Sequence, residues 1–153
     1  MDADRLATRL SPLVAAILRS PLHGLLSRGL MLLSFHGRRS GRWITLPVGY
    51  QRSDRTVTVL ASRARRKLWW RNFVEPRPVE LRLRGRVLRG QARLVPGESP
   101  EFREVAEATF QRLPRLGGQF GIAYDRTRGL TEEQWRTVAR EGALVRIALR
   151  PGD

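Results

Sequence analysis

Hydrophobic positions along the chain change period three times, from helical to strand-like, back to helical and finally to a last strand. Residues 10–33, LSPLVAAILRSPLHGLLSRGLMLL, are leucine-rich and interrupted by Pro12, Arg19, Pro21, His23 and Arg28. Those interruptions leave no clean apolar run of about 20 residues, so a membrane-spanning helix is not supported. Acidic residues open the chain and no small-residue cleavage site follows the apolar part, so a signal peptide is not expected either. The spacing predicts two short amphipathic helices, near 3–18 and 22–31, with Pro21 suited to a first turn. They either cover the core or lay Leu13, Leu18, Leu22, Leu25, Leu26 and Leu30 on an anionic membrane surface while arginines meet lipid phosphate. The first reading is the better supported, because helices ordinarily pack their apolar stripe inward.

From residue 31 the pattern becomes strand-like. Residues 31–36 are a short apolar run, RWITLPVGY follows, and RTVTVLAS alternates with β-branched residues. Pro47 places the second of these at a sheet edge or bulge, because proline cannot donate to a ladder. In VELRLRG and RVLRGQARLV, Gly85 marks a hairpin turn; Val79, Leu81 and Leu83 face one side, Glu80, Arg82 and Arg84 the other. SPEFREVAEATFQRL begins with a Ser-Pro cap, LTEEQWRTVARE carries a Thr131–Gln134 capping-box spacing, and both predict helices. ALVRIALR predicts a last strand. Short antiparallel strands with few helices predict a mainly β (α+β) fold, a small barrel with helical decoration. We read the chain as one domain, with 1–31 as N-terminal helices and 32–150 as the barrel with its helical insertions.

Composition limits the chemistry. The chain has no cysteine and two histidines, His23 and His36, which removes thiolate chemistry and leaves no convincing metal set. Its net charge is +15, and Lys67 is its single lysine. Such a charge attracts anions: nucleic acid, acidic lipid or a phosphorylated cofactor. No helix-turn-helix, RNP or zinc-finger pattern is present and the arginines are spread along the chain, so a nucleic-acid-binding module is a remote reading.

Two clusters stand out. Arg38, Arg39 and Ser40, flanked by Gly37 and Gly41, make a tight turn with fork donors and backbone N–H groups, suited to phosphate or carboxylate. The turn lacks the Gly-Lys-Ser/Thr ending of a P-loop and any following helix. The second cluster, ASRARRKLWWRNF, leaves a strand at Ser62, passes Arg63, Arg65, Arg66 and Lys67, and enters a short helix with Trp69 and Trp70. Paired tryptophans there wall a planar ring, or one of them is simply core. Two basic seats on adjacent strands with aromatics between them suit a flat cofactor with a phosphorylated tail.

GRRSGRWITLPVGY, then a strand, AS, basic residues, WWRN and PVELRLRGRVLRGQARLV together resemble the deazaflavin-dependent nitroreductase (nitroreductase/quinone reductase) family of actinobacteria, over roughly residues 22–95. The resemblance implies a split β-barrel of the FMN- and deazaflavin-binding type. It implies coenzyme F-420, an 8-hydroxy-5-deazaflavin whose tail carries phosphate and glutamate carboxylates, with FMN as the alternative. Arg38, Arg39, Ser40 and Gly41 would hold the tail and Pro47 would lie against the ring. Ser62 and Arg63 would meet tail or ring from the next strand, and Lys67, Trp69 and Asn72 would come from the helix closing the site. Family members often carry Gly-Gly and Pro between that strand and helix; here the connection is shorter and arginine-rich. Nitro-reducing members place tyrosines over the ring from the C-terminal part, where this chain offers Tyr124 and Trp135.

The resemblance therefore implies a reductase passing hydride from the reduced deazaflavin to a quinone, nitroaromatic or similar acceptor. No catalytic side chain is required, because the cofactor carries the chemistry. The alternative is a flavin-, deazaflavin- or lipid-surface-binding protein on the same barrel. The expected setting is cytoplasmic, with or without peripheral contact to an anionic membrane, as a monomer or homodimer.

Overall fold

The computed structural model describes residues 29–152. The two amphipathic helices expected near 3–18 and 22–31 fall almost wholly outside the described residues. The final two positions of the second are not helical, since the first described strand already begins at Leu30.

Seven strands are described: β1 Leu30–His36, β2 Trp43–Gly49, β3 Gln51–Ser53, β4 Thr56–Ala61, β5 Arg77–Leu83, β6 Arg86–Val95 and β7 Ala143–Leu149. A short 3-10 helix, Trp69–Phe73, separates β4 from β5. Helix α1 spans Pro100–Arg112 and α2 Glu132–Glu141, with a 3-10 segment Pro114–Phe120 between them. Each α-helix starts as its sequence dictates. The Ser99 hydroxyl accepts the Phe102 N–H with Pro100 in the first turn, and Thr131 and Gln134 form a reciprocal capping box.

All pairings are antiparallel, in the order β2-β1-β5-β6-β7-β4-β3. β2 lies at one edge, where Pro47 withdraws no donor from an interior ladder. β2 also comes against β4, so the sheet curls until its two ends face each other. These ends are consecutive in the chain, because β2 runs into β3 through the single residue Tyr50. The result is a barrel left open along one seam, the split-barrel form. The two basic seats are thus not on neighbouring strands: four strands separate β2 from β4 in the sheet, and the two meet only across the seam.

The barrel interior holds Met31, Leu33, Phe35, Val57, Val59, Val79, Leu81, Leu83, Val145 and Ile147, all buried. Phe73, from the 69–73 helix, enters this core edge-on to Phe35 at 4.9 Å. A second core lies between the α-helices and the outer sheet face, where Phe102, Ala106, Phe110, Phe120, Trp135 and Val138 pack with Val95 and Leu144. β7 serves both layers by alternation: Leu144 goes to the helices, Val145 and Ile147 to the barrel.

Candidate functional site: an apolar cleft at the seam with basic ends

A cavity of about 720 Å³ opens where β2 and β4 face each other. β2 contributes Leu46, Pro47, Val48 and Gly49; β4 contributes Thr58, Val59, Leu60 and Ala61; Tyr50 and Gln51 close the end where the chain crosses the seam. Trp69 lines it from the short helix, and Thr109, Arg112, Leu113, Leu116, Gln119 and Phe120 from α1 and the segment after it. The lining is mostly apolar, with few polar groups, in a volume typical of ligand sites. The Thr109 hydroxyl is engaged by its own helix, donating to the Val105 carbonyl at 2.7 Å. Lys67 and Arg112 are the cations of the lining.

Four of the ten residues singled out from the sequence line this cleft: Pro47, Ser62, Lys67 and Trp69. Ser62 is buried; its hydroxyl donates to Gln119 Oε1 at 3.4 Å and accepts from Lys67 Nζ at 3.4 Å, both long contacts. Arg63 points elsewhere, into an adjoining basic cavity of about 580 Å³ with Arg65, Arg66, Gly118, Gln119, Phe120, Gly121, Thr137 and Glu141. Gln119 and Phe120 line both spaces and join them. Arg63 also holds a left-handed backbone at φ 52°. Its carbonyl accepts the N–H groups of Arg66 and Lys67, which turns the chain so that the arginines splay outward.

The arginine-rich connection is pinned from within by Ala64. Its N–H donates to the Glu141 carbonyl at 2.9 Å, and its carbonyl accepts the Trp70 indole N–H at 2.8 Å. The two tryptophans therefore divide the work. Trp69 forms a cleft wall and meets Phe73 edge-on at 6.2 Å, while Trp70 clamps the loop and carries Arg71 over its ring at 5.4 Å.

Arg38, Arg39, Ser40 and Gly41 form the β1–β2 turn and do not line the cleft. Gly41 has φ 66°, which favours glycine, and a side chain at Gly37 would press on Ser40 Oγ at 3.0 Å and Ile44 Cδ1 at 3.1 Å. Ser40 Oγ accepts the Arg42 N–H at 3.2 Å. The Arg38 N–H donates to Asn72 Oδ1 at 2.7 Å, and Asn72 Nδ2 donates to the Trp69 carbonyl at 2.8 Å. Asn72 thus ties the turn to the tryptophan helix. The Arg38 and Arg39 side chains are exposed.

Neither C-terminal aromatic reaches the cleft. Trp135 is buried against Phe102 at 5.3 Å, and the Tyr124 hydroxyl donates to Glu107 at 2.6 Å and accepts from Gln111 at 2.7 Å. Burial and the Glu107 carboxylate push the Tyr124 phenol up to about 12. The tyrosine in the lining is Tyr50, which ends the GRWITLPVGY stretch. Gln119 and Arg112, also missed, carry no local motif and arrive only through the packing of α1. Among the described residues no three His, Asp or Glu side chains converge as a metal site, and no helix is long and apolar enough to cross a membrane.

A curled antiparallel sheet, open along one seam and apolar within it, defines the split-barrel fold. The chain belongs to the F420H(2)-dependent quinone reductase family, whose profile matches residues 20–112, and is accordingly an F-420-dependent oxidoreductase. Solved structures share the fold at low identity. An F420-H2 dependent reductase, FDR-A, is 14% identical with a TM-score of 0.53, over 78% of this chain and 94% of that one. A domain-swapped dimer is 16% identical with a TM-score of 0.56, over 92% and 98%. An FAD and heme binding protein from Mycobacterium smegmatis is 15% identical with a TM-score of 0.50, over 88% and 68%. No curated protein matches the chain.

Proposed function

We propose that the seam cleft holds the deazaflavin ring of F-420 and that the acceptor is a quinone. The observation that carries this reading is the convergence of Pro47, Trp69, Ser62 and Lys67 on one apolar cavity with basic surroundings. The donor set fits the group: flat apolar walls for a tricyclic ring, and arginines outside for an anionic tail. When bound, the reduced deazaflavin supplies a hydride, which with one proton from solvent converts a quinone to its hydroquinone.

The chain's own contribution is placement and charge. Pro47 and Trp69 limit the ring to a slot. Ser62 and Lys67 present a hydroxyl and an ammonium to whichever polar ring atoms lie beneath them. Arg38, Arg39 and Ser40 on the turn, and Arg63 beyond Ser62, are the seats we assign to tail phosphate and carboxylates. A nitroaromatic is the second acceptor of the same electron-poor kind. For assembly we propose a homodimer, prompted by the domain-swapped neighbour; light scattering of the purified protein tests it.

The deciding experiment titrates F-420 and FMN separately against the protein, following fluorescence, and then mixes the reduced deazaflavin with menadione. Binding of F-420 and its oxidation above the protein-free rate are expected. Tight FMN binding with no F-420 binding, or no oxidation, would overturn the assignment.

A further inference from the structure

The cleft has a second basic end. Beyond Tyr50 and Gln51 it adjoins a cavity of about 460 Å³ lined by those two residues with Arg52, Asp54, Leu83, Arg84 and Arg112. Arg112 lines both spaces, as do Tyr50 and Gln51. Three guanidinium groups here face one carboxylate. Arg52 Nε donates to the Asp54 carbonyl oxygen, and among the described residues the Arg84 and Arg112 side chains have no hydrogen-bond or ion-pair partner.

Arg84 is also an unusual residue for its place. It is the first central residue of the β5–β6 hairpin turn and holds a left-handed backbone at φ 49°, with Gly85 following at φ 73°. Turns with both central residues at positive φ favour Asn, Asp or Gly there, and arginine gains nothing from that conformation. The turn holds an arginine over the mouth of this cavity at the expense of turn chemistry.

We propose that this pocket is a seat for an anionic group on the electron acceptor, making the acceptor class a quinone that carries a carboxylate or sulfonate. The inference rests on the reading of the cleft as a deazaflavin and quinone site. The far end has its own arginines, Arg63, Arg65 and Arg66, beside the Ser62–Lys67 pair. A cofactor tail leaving at that end, or toward the Arg38–Arg39 turn, leaves the Arg112 end to the second substrate. Hydride transfer brings ring and acceptor to about 3–3.5 Å, so the acceptor shares the cleft and its substituent emerges at one of these ends. An exposed guanidinium pair then selects an anion bidentately.

The probes are 1,4-naphthoquinone-2-sulfonate and menadione, which share a ring and differ in sulfonate against methyl. Their affinities for the cofactor-free full chain are measured by calorimetry, alongside the Kd of F-420. The parent is expected to bind the sulfonate about tenfold or more tighter than menadione, as charge-assisted hydrogen bonds imply. In the double variant Arg84→Gln, Arg112→Gln that ratio falls to near one; in Arg84→Gln alone, whose residue does not line the cleft, it falls in part while the F-420 Kd is retained. In Arg63→Gln, Arg65→Gln, Arg66→Gln the ratio persists. No preference in the parent, its survival in Arg84→Gln, Arg112→Gln, or its loss at the Arg63 end instead overturns the inference. So does weakened F-420 binding in the Arg84→Gln protein, which makes this pocket a tail site. Absence of quinone reduction with a preserved calorimetric preference overturns the reductase reading and leaves the anion seat standing.

Discussion

Asn72 and Arg38, far apart in sequence, are joined by a 2.7 Å hydrogen bond from the Arg38 backbone N–H to the Asn72 side-chain oxygen. The same amide group donates to the Trp69 carbonyl. One side chain therefore fixes the distance between the arginine turn and the wall of the cleft, and the bond uses the Arg38 backbone, leaving its guanidinium available.

Asn72→Ala should lower stability by about 1–2 kcal/mol, the loss of two modest hydrogen bonds. It should also weaken F-420 binding, because turn and wall no longer share a frame. Urea unfolding and a cofactor fluorescence titration check this; a variant equal to the parent in both would remove the coupling.

Arg38→Ala with Arg39→Ala should weaken cofactor binding without the loss of stability. Folding should barely change, since exposed arginines contribute little and the Arg38 N–H bond to Asn72 survives. Cofactor affinity should fall by about 1.5–3 kcal/mol for each side chain that meets the anionic tail. Unchanged affinity would place the tail at another seat, with Arg63→Ala as the next variant to titrate.

The two tryptophans should separate cleanly. Trp69→Phe keeps a flat apolar wall and should keep much of the turnover; Trp69→Ala should lower the rate far more by loosening the ring. Trp70→Phe removes the donor to Ala64. It should cost about 1 kcal/mol and speed amide exchange at Ala64, whose N–H holds the loop to α2. His36→Gln should leave turnover unchanged, because His36 lies at the exposed end of β1, away from the cleft lining, bonded to the Gly41 carbonyl at 3.1 Å and edge-on against Trp43.

Alkaline stability should report Tyr124. Its phenol is raised to about 12 in the folded chain against an ordinary value of 10. The unfolded chain therefore loses this proton first, and the stabilisation, complete below pH 10, should decline between pH 10 and 12. With one lysine and two tyrosines in the chain, few other groups titrate in that window. Thermal unfolding of the parent should fall more steeply there than that of Tyr124→Phe.

Strand alternation and capping residues made the sheet and both α-helices legible, because each is a local signal. Pro47 even announced an edge strand. What local patterns could not reveal was which edges meet. The seam depends on curl accumulated over the sheet, so β2 and β4 read as neighbours when four strands separate them in the sheet. The cleft residues split along the same line. Pro47, Ser62, Lys67 and Trp69 stood within recognisable motifs. Arg112, Gln119 and Leu116 come from α1 and the turn after it, whose sequence speaks only of helix and loop. Arg38 and Asn72 were visible as candidates, while their bond to each other was not.

The crossing at Tyr50 has a mechanical corollary. Among the described strands no ladder hydrogen bond spans the seam, so prising β2 from β4 breaks side-chain packing and leaves every paired backbone group intact. The sheet should behave as a spring clip, its jaws β2 and β4, with Tyr50 joining β2 to β3 at one end. Gape is then expected to vary along the slot, least at Tyr50 and greatest away from it, a gradient that would let the same fold take flat guests of different breadth.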